Sequence, residues 1–326
     1  MSNIKILDTT LRDGGYLNNW EFGENSIKEI IYSLFQAKID YVECGFLYKK
    51  NIQDTSLYKN ISDLKKYNVT GKCSLMLNLG SVDIDNIQPC ENLDFEIRVA
   101  FKKHDLGIVQ EAVKILDKKG IKYSLNPMHT SLYSPDELRT LIDIANSTNP
   151  ICFTVVDTMG IMTPYDTKNL FVELDRNVKK SVCFGFHSHN NLNLSMDNII
   201  EVQKLNIDRE IIIDSCLGGI GRGGGIISTE VLSDKLNKDY SIGYNVALLK
   251  DVSEQVITPI VDKLYIKEKY PYYLSAKHKC HPNYATYCVK NGISEYAEID
   301  NLLARIPEEN KTIFSPDIIK NIMIYK

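Results

Sequence analysis

Two histidines separated by one residue, His187 and His189, close the apolar run Phe184-Gly-Phe-His-Ser-His-Asn-Asn. On a strand, residues i and i+2 project to the same side, so both imidazoles can converge on one point. Neutral imidazoles arranged in that way suit a divalent metal; a pair of hydrogen-bonded histidines opening a loop is the alternative. A metal also calls for an anionic ligand, and Asp13, in Leu11-Arg-Asp-Gly-Gly-Tyr16, is the candidate. Asp13, His187 and His189 then form a two-histidine, one-carboxylate set that leaves coordination positions for water and substrate. Taken alone, Arg12-Asp13 has a lesser alternative reading as a loop ion pair before a Gly14-Gly15 turn.

The neighbouring residues extend this chemistry. Beside a divalent ion, the planar guanidinium of Arg12 can bind a carboxylate or stabilise an enolate oxygen. Glu43, in Val42-Glu-Cys-Gly45, can orient Arg12, or can be one half of a buried structural ion pair. Asp157 ends another apolar run, Cys152–Val156, and Arg98, Asn126 and Met128 lie near the ends of two more. These are expected to line a pocket, or to pack. The segment Gly218-Gly-Ile-Gly221-Arg222-Gly-Gly-Gly225 lets backbone N–H groups approach an anion, with Gly221 and Arg222 as candidate substrate contacts. His278-Lys-Cys-His281 has the look of a zinc half-site, but no second Cys/His pair lies at a suitable spacing.

These residues need a scaffold that brings distant positions together. Eight strand candidates alternate with helical patterns: Ile4–Asp8, Tyr41–Cys44, Gly71–Leu77, Phe95–Ala100, Lys122–Asn126, Cys152–Val156, Val182–Phe186 and Glu210–Asp214. Ile27, Ile30, Ile31, Leu34 and Phe35 mark the first helix; Ile108, Ala112, Ile115 and Leu116 mark the fourth. Ser134-Pro135 and Thr163-Pro164 read as helix starts, a cap followed by proline. Such alternation predicts a parallel sheet with helical crossovers, and eight units in about 240 residues match a TIM (β/α)8 barrel. An open doubly wound sheet would place its glycine cluster after the first strand, whereas here the cluster follows the eighth. Residues 1–240 are therefore expected to form the barrel and 241–326 a helical C-terminal extension. Within the extension, a helix over Val246–Lys267 is interrupted at Pro259, and shorter helices are separated by Pro271, Pro282 and Pro307. Its Tyr284 is a candidate substrate contact or proton donor if the extension reaches the barrel mouth.

The chain has 326 residues, 44% hydrophobic and 25% charged, with a net charge of −4. That balance excludes disorder, collagen and coiled coil, and offers no electrostatic footprint for nucleic acid or an anionic membrane. No apolar run approaches the ~18–20 residues of a membrane helix. Eight cysteines, several inside apolar runs, fit a reducing compartment, and no signal-like segment opens the sequence. A cytoplasmic protein is expected.

Taken in order, Leu7-Asp-Thr-Thr-Leu-Arg-Asp-Gly, Asp157-Thr-Met-Gly, His187-Ser-His-Asn and Gly219-Ile-Gly-Arg-Gly-Gly-Gly resemble the signatures of the DRE-TIM metallolyase (HMGL-like) superfamily across the whole barrel. Within it the chain looks most similar to the 4-hydroxy-2-oxovalerate aldolase branch and to uncharacterised aldolase catalytic domain proteins. The resemblance implies Mn²⁺ or Mg²⁺ on Asp13, His187 and His189. It implies a 2-oxo acid such as pyruvate bound by the metal and Arg12, and an enolate formed as a carbon–carbon bond to an aldehyde breaks or forms. A homodimer is expected on the same ground. Two positions depart from the relatives: Tyr16 stands where similar aldolases carry a histidine base, and Ile226 where some carry a liganding Asn. A Claisen-type acyl-CoA lyase or synthase, and a catalytically degenerate barrel acting as a binding subunit, are the competing readings.

Overall fold

The computed structural model describes residues 4–261 and 263–324, the side chains of 263–268 excepted; residues 1–3, 262 and 325–326 lie outside the described residues. Among the described residues, nine parallel strands form one sheet: β1 (Ile4–Asp8), β2 (Tyr41–Leu47), β3 (Leu57–Tyr58), β4 (Lys72–Asn78), β5 (Phe95–Phe101), β6 (Tyr123–Pro127), β7 (Cys152–Asp157), β8 (Cys183–Ser188) and β9 (Ile211–Ser215). β1 pairs with both β2 and β9, so eight strands close into a barrel and the two-residue β3 sits beside β2. The eight expected strands are all present, with ends within three residues of the expected ones. β3, with only two residues, carries no readable alternation.

Alternation decides what each strand offers the interior. Along β5, Ile97, Val99 and Phe101 join the apolar cluster between the barrel and its helices, while Glu96, Arg98 and Ala100 take the other face. Along β9, Ile211 and Ile213 pack outward, and Ile212 and Asp214 turn in. The interior is therefore layered. Leu7, Cys152 and Ile212 form an apolar floor, Glu43, Arg98 and Asp214, with His187, a buried polar layer above it, and Phe46, Met76 and Ala100 part of the wall near the mouth.

Six crossovers are α-helical: α1 (Glu24–Gln36), α2 (Leu106–Lys118), α3 (Pro135–Ser147), α4 (Pro164–Asn177), α5 (Ser195–Lys204) and α6 (Thr229–Tyr240). The connections after β2 and β4 carry only 3₁₀ turns, Ile61–Tyr67 and Ile84–Asn86. After β4 the sequence explains it: Asp83, Asp85, Asn86 and Pro89 favour local turns over a helix ladder. Helix α2 also sits differently from its expected register. It buries Val109, Val113 and Leu116, leaving Ile108 57% exposed. The starts of α3 and α4 are as read, with reciprocal caps between Ser134 and Glu137 and between Thr163 and Asp166.

Beyond the barrel come α7 (Val246–Val252), a π turn (Ser253–Ile257), α8 (Lys263–Lys277), α9 (Asn283–Lys290), α10 (Tyr296–Ala304) and α11 (Pro316–Ile324). The break expected at Pro259 is present, between the π turn and α8. Pro271 does not separate two helices. It lies buried inside α8, which continues past it although proline removes its own N–H from the ladder and crowds the preceding turn. Leu249, Val252, Val256 and Ile257 pack into the barrel's cluster, whereas Leu274, Tyr284, Ile299 and Ile319 belong to a separate core.

Candidate metal centre

Asp13 reaches the barrel axis through a tight turn after β1, in which the Thr9 carbonyl accepts from the amides of both Arg12 (2.9 Å) and Asp13 (2.7 Å). Trp20 braces that turn by donating from Nε1 to the Arg12 carbonyl at 2.8 Å. A Cβ on Gly15 would lie 2.1 Å from the Trp20 ring, so this close approach requires glycine. On the far side, β8 delivers His187 and, just past its end, His189, with ring centres 4.9 Å apart. Possible ligand atoms of Asp13, His187 and His189 all fall within 4.8 Å of one another, and all three residues are buried.

A network of charges holds this set. Arg12 donates from Nε to Glu43 at 2.6 Å and from Nη1 to Asp13 at 2.7 Å. Arg98 lies 3.1 Å from the same Glu43 oxygen and donates to Asp214 Oδ2 at 2.7 Å. That Asp214 oxygen is 2.8 Å from His187 Nδ1, which fixes the imidazole with Nε2 toward Asp13 at 3.9 Å. Burial opposes charge on Arg12, yet Glu43 and Asp13 hold it above its ordinary range. Burial likewise opposes ionisation of Asp13, but Arg12 and the two imidazoles hold its carboxyl below the usual value. His187 is pushed well down by burial and then by Arg12. His189 is lowered by burial, against the pull of Asp13. The result is an ionised carboxylate facing two neutral imidazoles.

The glycine-rich loop closes the other side. Gly221 adopts φ +146°, and a Cβ there would lie 2.3 Å from Asp13 Oδ2. The absence of a side chain lets the Arg222 amide donate to that oxygen at 3.1 Å. Asn191 ties the loop down, accepting from the Gly224 amide at 2.6 Å and donating to the Met159 carbonyl at 2.9 Å.

These residues fit a divalent cation. The three donors are of the right kind and protonation, and the buried Nδ1 of His189 has no hydrogen-bond partner. Among the described residues they are the only group of three or more His, Cys, Asp or Glu so placed. The His278–His281 segment makes no zinc site: His278 pairs with Asp300 at 2.6 Å, Cys280 is buried in the extension's core, and His281 faces Arg222.

One pocket gathers Arg12, Asp13, Tyr16, Arg98, Asn126, Met128, His187, His189 and Arg222. Glu43 and Gly221 stand behind it, acting through Arg12 and Asp13. Asp157 is elsewhere employed: its carboxylate accepts from the amides of Ile161 and Met162, both at 3.0 Å, and shapes the loop after β7. Burial nonetheless raises its pKa to about 6. Tyr284 is also misplaced for substrate. It is fully buried in the extension, donating to the carbonyls of Asn310 and Ile313, each at 3.0 Å. Sequence reasoning gave Asp214 no role, although its place at the end of β9, opposite Arg98 in the barrel, was a signal.

The HMGL-like family profile matches residues 3–256. Oxaloacetate decarboxylase of Mycobacterium tuberculosis is 27% identical over 239 residues, spanning 72% of this chain and 70% of that protein. 4-Hydroxy-2-oxovalerate aldolase of Carboxydothermus hydrogenoformans is 27% identical over 278 residues, spanning 82% and 80%. Among solved structures, the N-terminal domain of a Bacteroides vulgatus protein provisionally described as an aldolase superposes with a TM-score of 0.75 at 27% identity, covering 90% of this chain and 99% of that one. No helix among the described residues is long and apolar enough to cross a membrane. With four-fifths of its length matched, and with the ordered Arg12, Asp13 and Glu43 cluster at the barrel mouth, this chain belongs to the HMGL-like family of the DRE-TIM superfamily and is an enzyme of the lyase kind.

Proposed function

We propose that the enzyme is a divalent-metal-dependent aldolase that cleaves or forms a pyruvate-type 2-oxo acid through an enolate, with an aldehyde as the second partner. The observation that carries this reading is the buried Asp13, His187 and His189 set directly against Arg12. Mn²⁺ or Mg²⁺ held there supplies a Lewis acid that polarises the 2-oxo group. Arg12, locked by Glu43 and Asp13, presents fixed positive charge where the enolate oxygen develops, so little reorganisation is needed as charge builds. The Asn126 Oδ1, buried and without a partner, is placed to accept from a substrate hydroxyl. Tyr16, 41% exposed at the mouth and packed edge-on to Trp20, is assigned to proton transfer with the bound acid. Both relatives are named for reactions that break the bond beyond C3 of a 2-oxo acid, and heterolysis of such a bond leaves its electron pair conjugated with the 2-oxo group as an enolate, the charge that Arg12 would meet.

Exchange of the pyruvate methyl protons in D₂O tests this reading, because it needs no knowledge of the aldehyde. NMR with Mg²⁺ should show metal-dependent exchange, reduced on the order of a hundredfold in Arg12→Lys and lost in Asp13→Ala. No exchange from pyruvate or 2-oxobutyrate with either metal would overturn it.

A further inference from the structure

Around the metal centre, the arginines fall into two kinds. Arg12 and Arg98 are each ion-paired, with Glu43, Asp13 and Asp214 as their partners. Arg222 also lines the pocket, but no carboxylate among the described residues pairs with its guanidinium. Its Nη2 instead lies 2.8 Å from Nε2 of His281, delivered by the C-terminal extension, and its charge sits 5.6 Å from the Tyr16 ring centre.

That histidine contact is short of an acceptor. The Asn283 amide already donates to His281 Nδ1 at 3.2 Å. A neutral imidazole has one acceptor nitrogen, yet both nitrogens here face N–H donors. One donor at the mouth is therefore mismatched. His129 adds another polar atom: its backbone amide is fixed on Thr158 Oγ1 at 2.8 Å, while its buried Nδ1 has no partner. The groups acting on His129 are Arg222, Lys102 and His189, and those acting on His281 are Arg222, His129 and Lys102. No acidic residue is among them. Burial and this basic company lower His129 to about 4 and His281 to about 3.

We propose that Arg222, His129 and His281, with Lys102 adding charge, form a second anion subsite at the barrel mouth that binds a carboxylate or phosphate at the end of the substrate remote from the 2-oxo acid. A doubly charged oxyanion meets the surplus N–H groups and positive charge together, and charge-assisted hydrogen bonds of that kind are the strong ones. The aldehyde partner, or the part of the 2-oxo acid beyond the cleaved bond, is then itself anionic. The inference rests on the lyase reading only in assigning that anion to the substrate; the subsite itself does not depend on it.

Calorimetric titration of the full chain tests both parts. Inorganic phosphate and malonate are each titrated into protein with Mg²⁺ already saturated with oxalate, which occupies the inner pocket as an enolate mimic. At least one of the two should bind, and whichever binds more tightly tells whether a phosphorylated or a carboxylated chain is preferred. Arg222→Gln should weaken that binding roughly tenfold to a hundredfold, the range for a charge-assisted hydrogen bond, and Lys102→Gln should weaken it by less. Oxalate binding, compared in wild type and His187→Gln, reports separately on the metal-centre reading. Absence of binding by both probes, or an unchanged affinity in Arg222→Gln, would overturn the subsite.

Discussion

Asp13 carries more of this site than any other side chain, because Arg12, the Arg222 amide and both imidazoles meet at its two oxygens. Its position depends on a missing side chain. Gly221→Ala should force Asp13 aside and lower Mn²⁺ affinity by about tenfold or more, the usual scale for disturbing a ligand's support. Gly107→Ala, at a helix position where a Cβ meets nothing within 4 Å, is the control expected to leave the affinity unchanged. Equal affinities for both variants by calorimetry would contradict this dependence. Glu96 lies two residues before Arg98 on the same face of β5, with Oε2 unpartnered, and burial lifts its pKa from 4.5 to about 7, against the pull of Arg98. Between those values the unfolded chain ionises while the folded one resists, so Glu96 makes the fold lose stability as pH rises from about 4.5 to 7. Glu96→Gln should therefore stabilise the protein at pH 8, by up to ~3 kcal/mol, with the difference vanishing near pH 4. Urea melts at the two pH values check the sign, and a variant less stable at pH 8 would refute it.

The elements were legible where burial imposed a pattern and obscure where it did not. Parallel strands covered on both faces read as short apolar runs, which is why all eight barrel strands stood out. The helices of the first and fourth crossovers announced themselves through a 3.6-residue period, and those of the fifth and sixth through a cap followed by proline. The second and third crossovers did not, because 3₁₀ turns, Asx-rich in the third, replaced the helices, and within α2 the presence of Ile108 beside Val109 obscured which residue faces the barrel. The caps themselves should be measurable. Ser134→Ala and Thr163→Ala remove the side chains that accept from the amides of Glu137 and Asp166, and each should cost about 1 kcal/mol in urea unfolding. Losses near zero at both positions would mean that the packing of α3 and α4, rather than their caps, sets their starts. At the site, the metal-ligand candidates were readable from residue type and spacing. Asp214 was signalled only by its place at the end of β9, and the role of His281 was not readable, since it meets Arg222 only through the fold.

Across the whole molecule, closure of the barrel brings residues 13 and 187 to one point, and the extension returns His281 to the same mouth. We propose that residues 1–240 are the catalytic barrel and 241–326 an extension whose part is to complete the mouth. All of this chemistry presupposes that the buried carboxylate and the two imidazoles bind a cation. Titration of Mn²⁺ into metal-free protein, followed by the loss of the free-ion EPR signal, tests that most directly. Wild type should take up the ion at one saturable site, and Asp13→Ala and His187→Ala, each shown to be folded by circular dichroism, should lose that uptake. Undiminished Mn²⁺ binding in both variants would contradict the account.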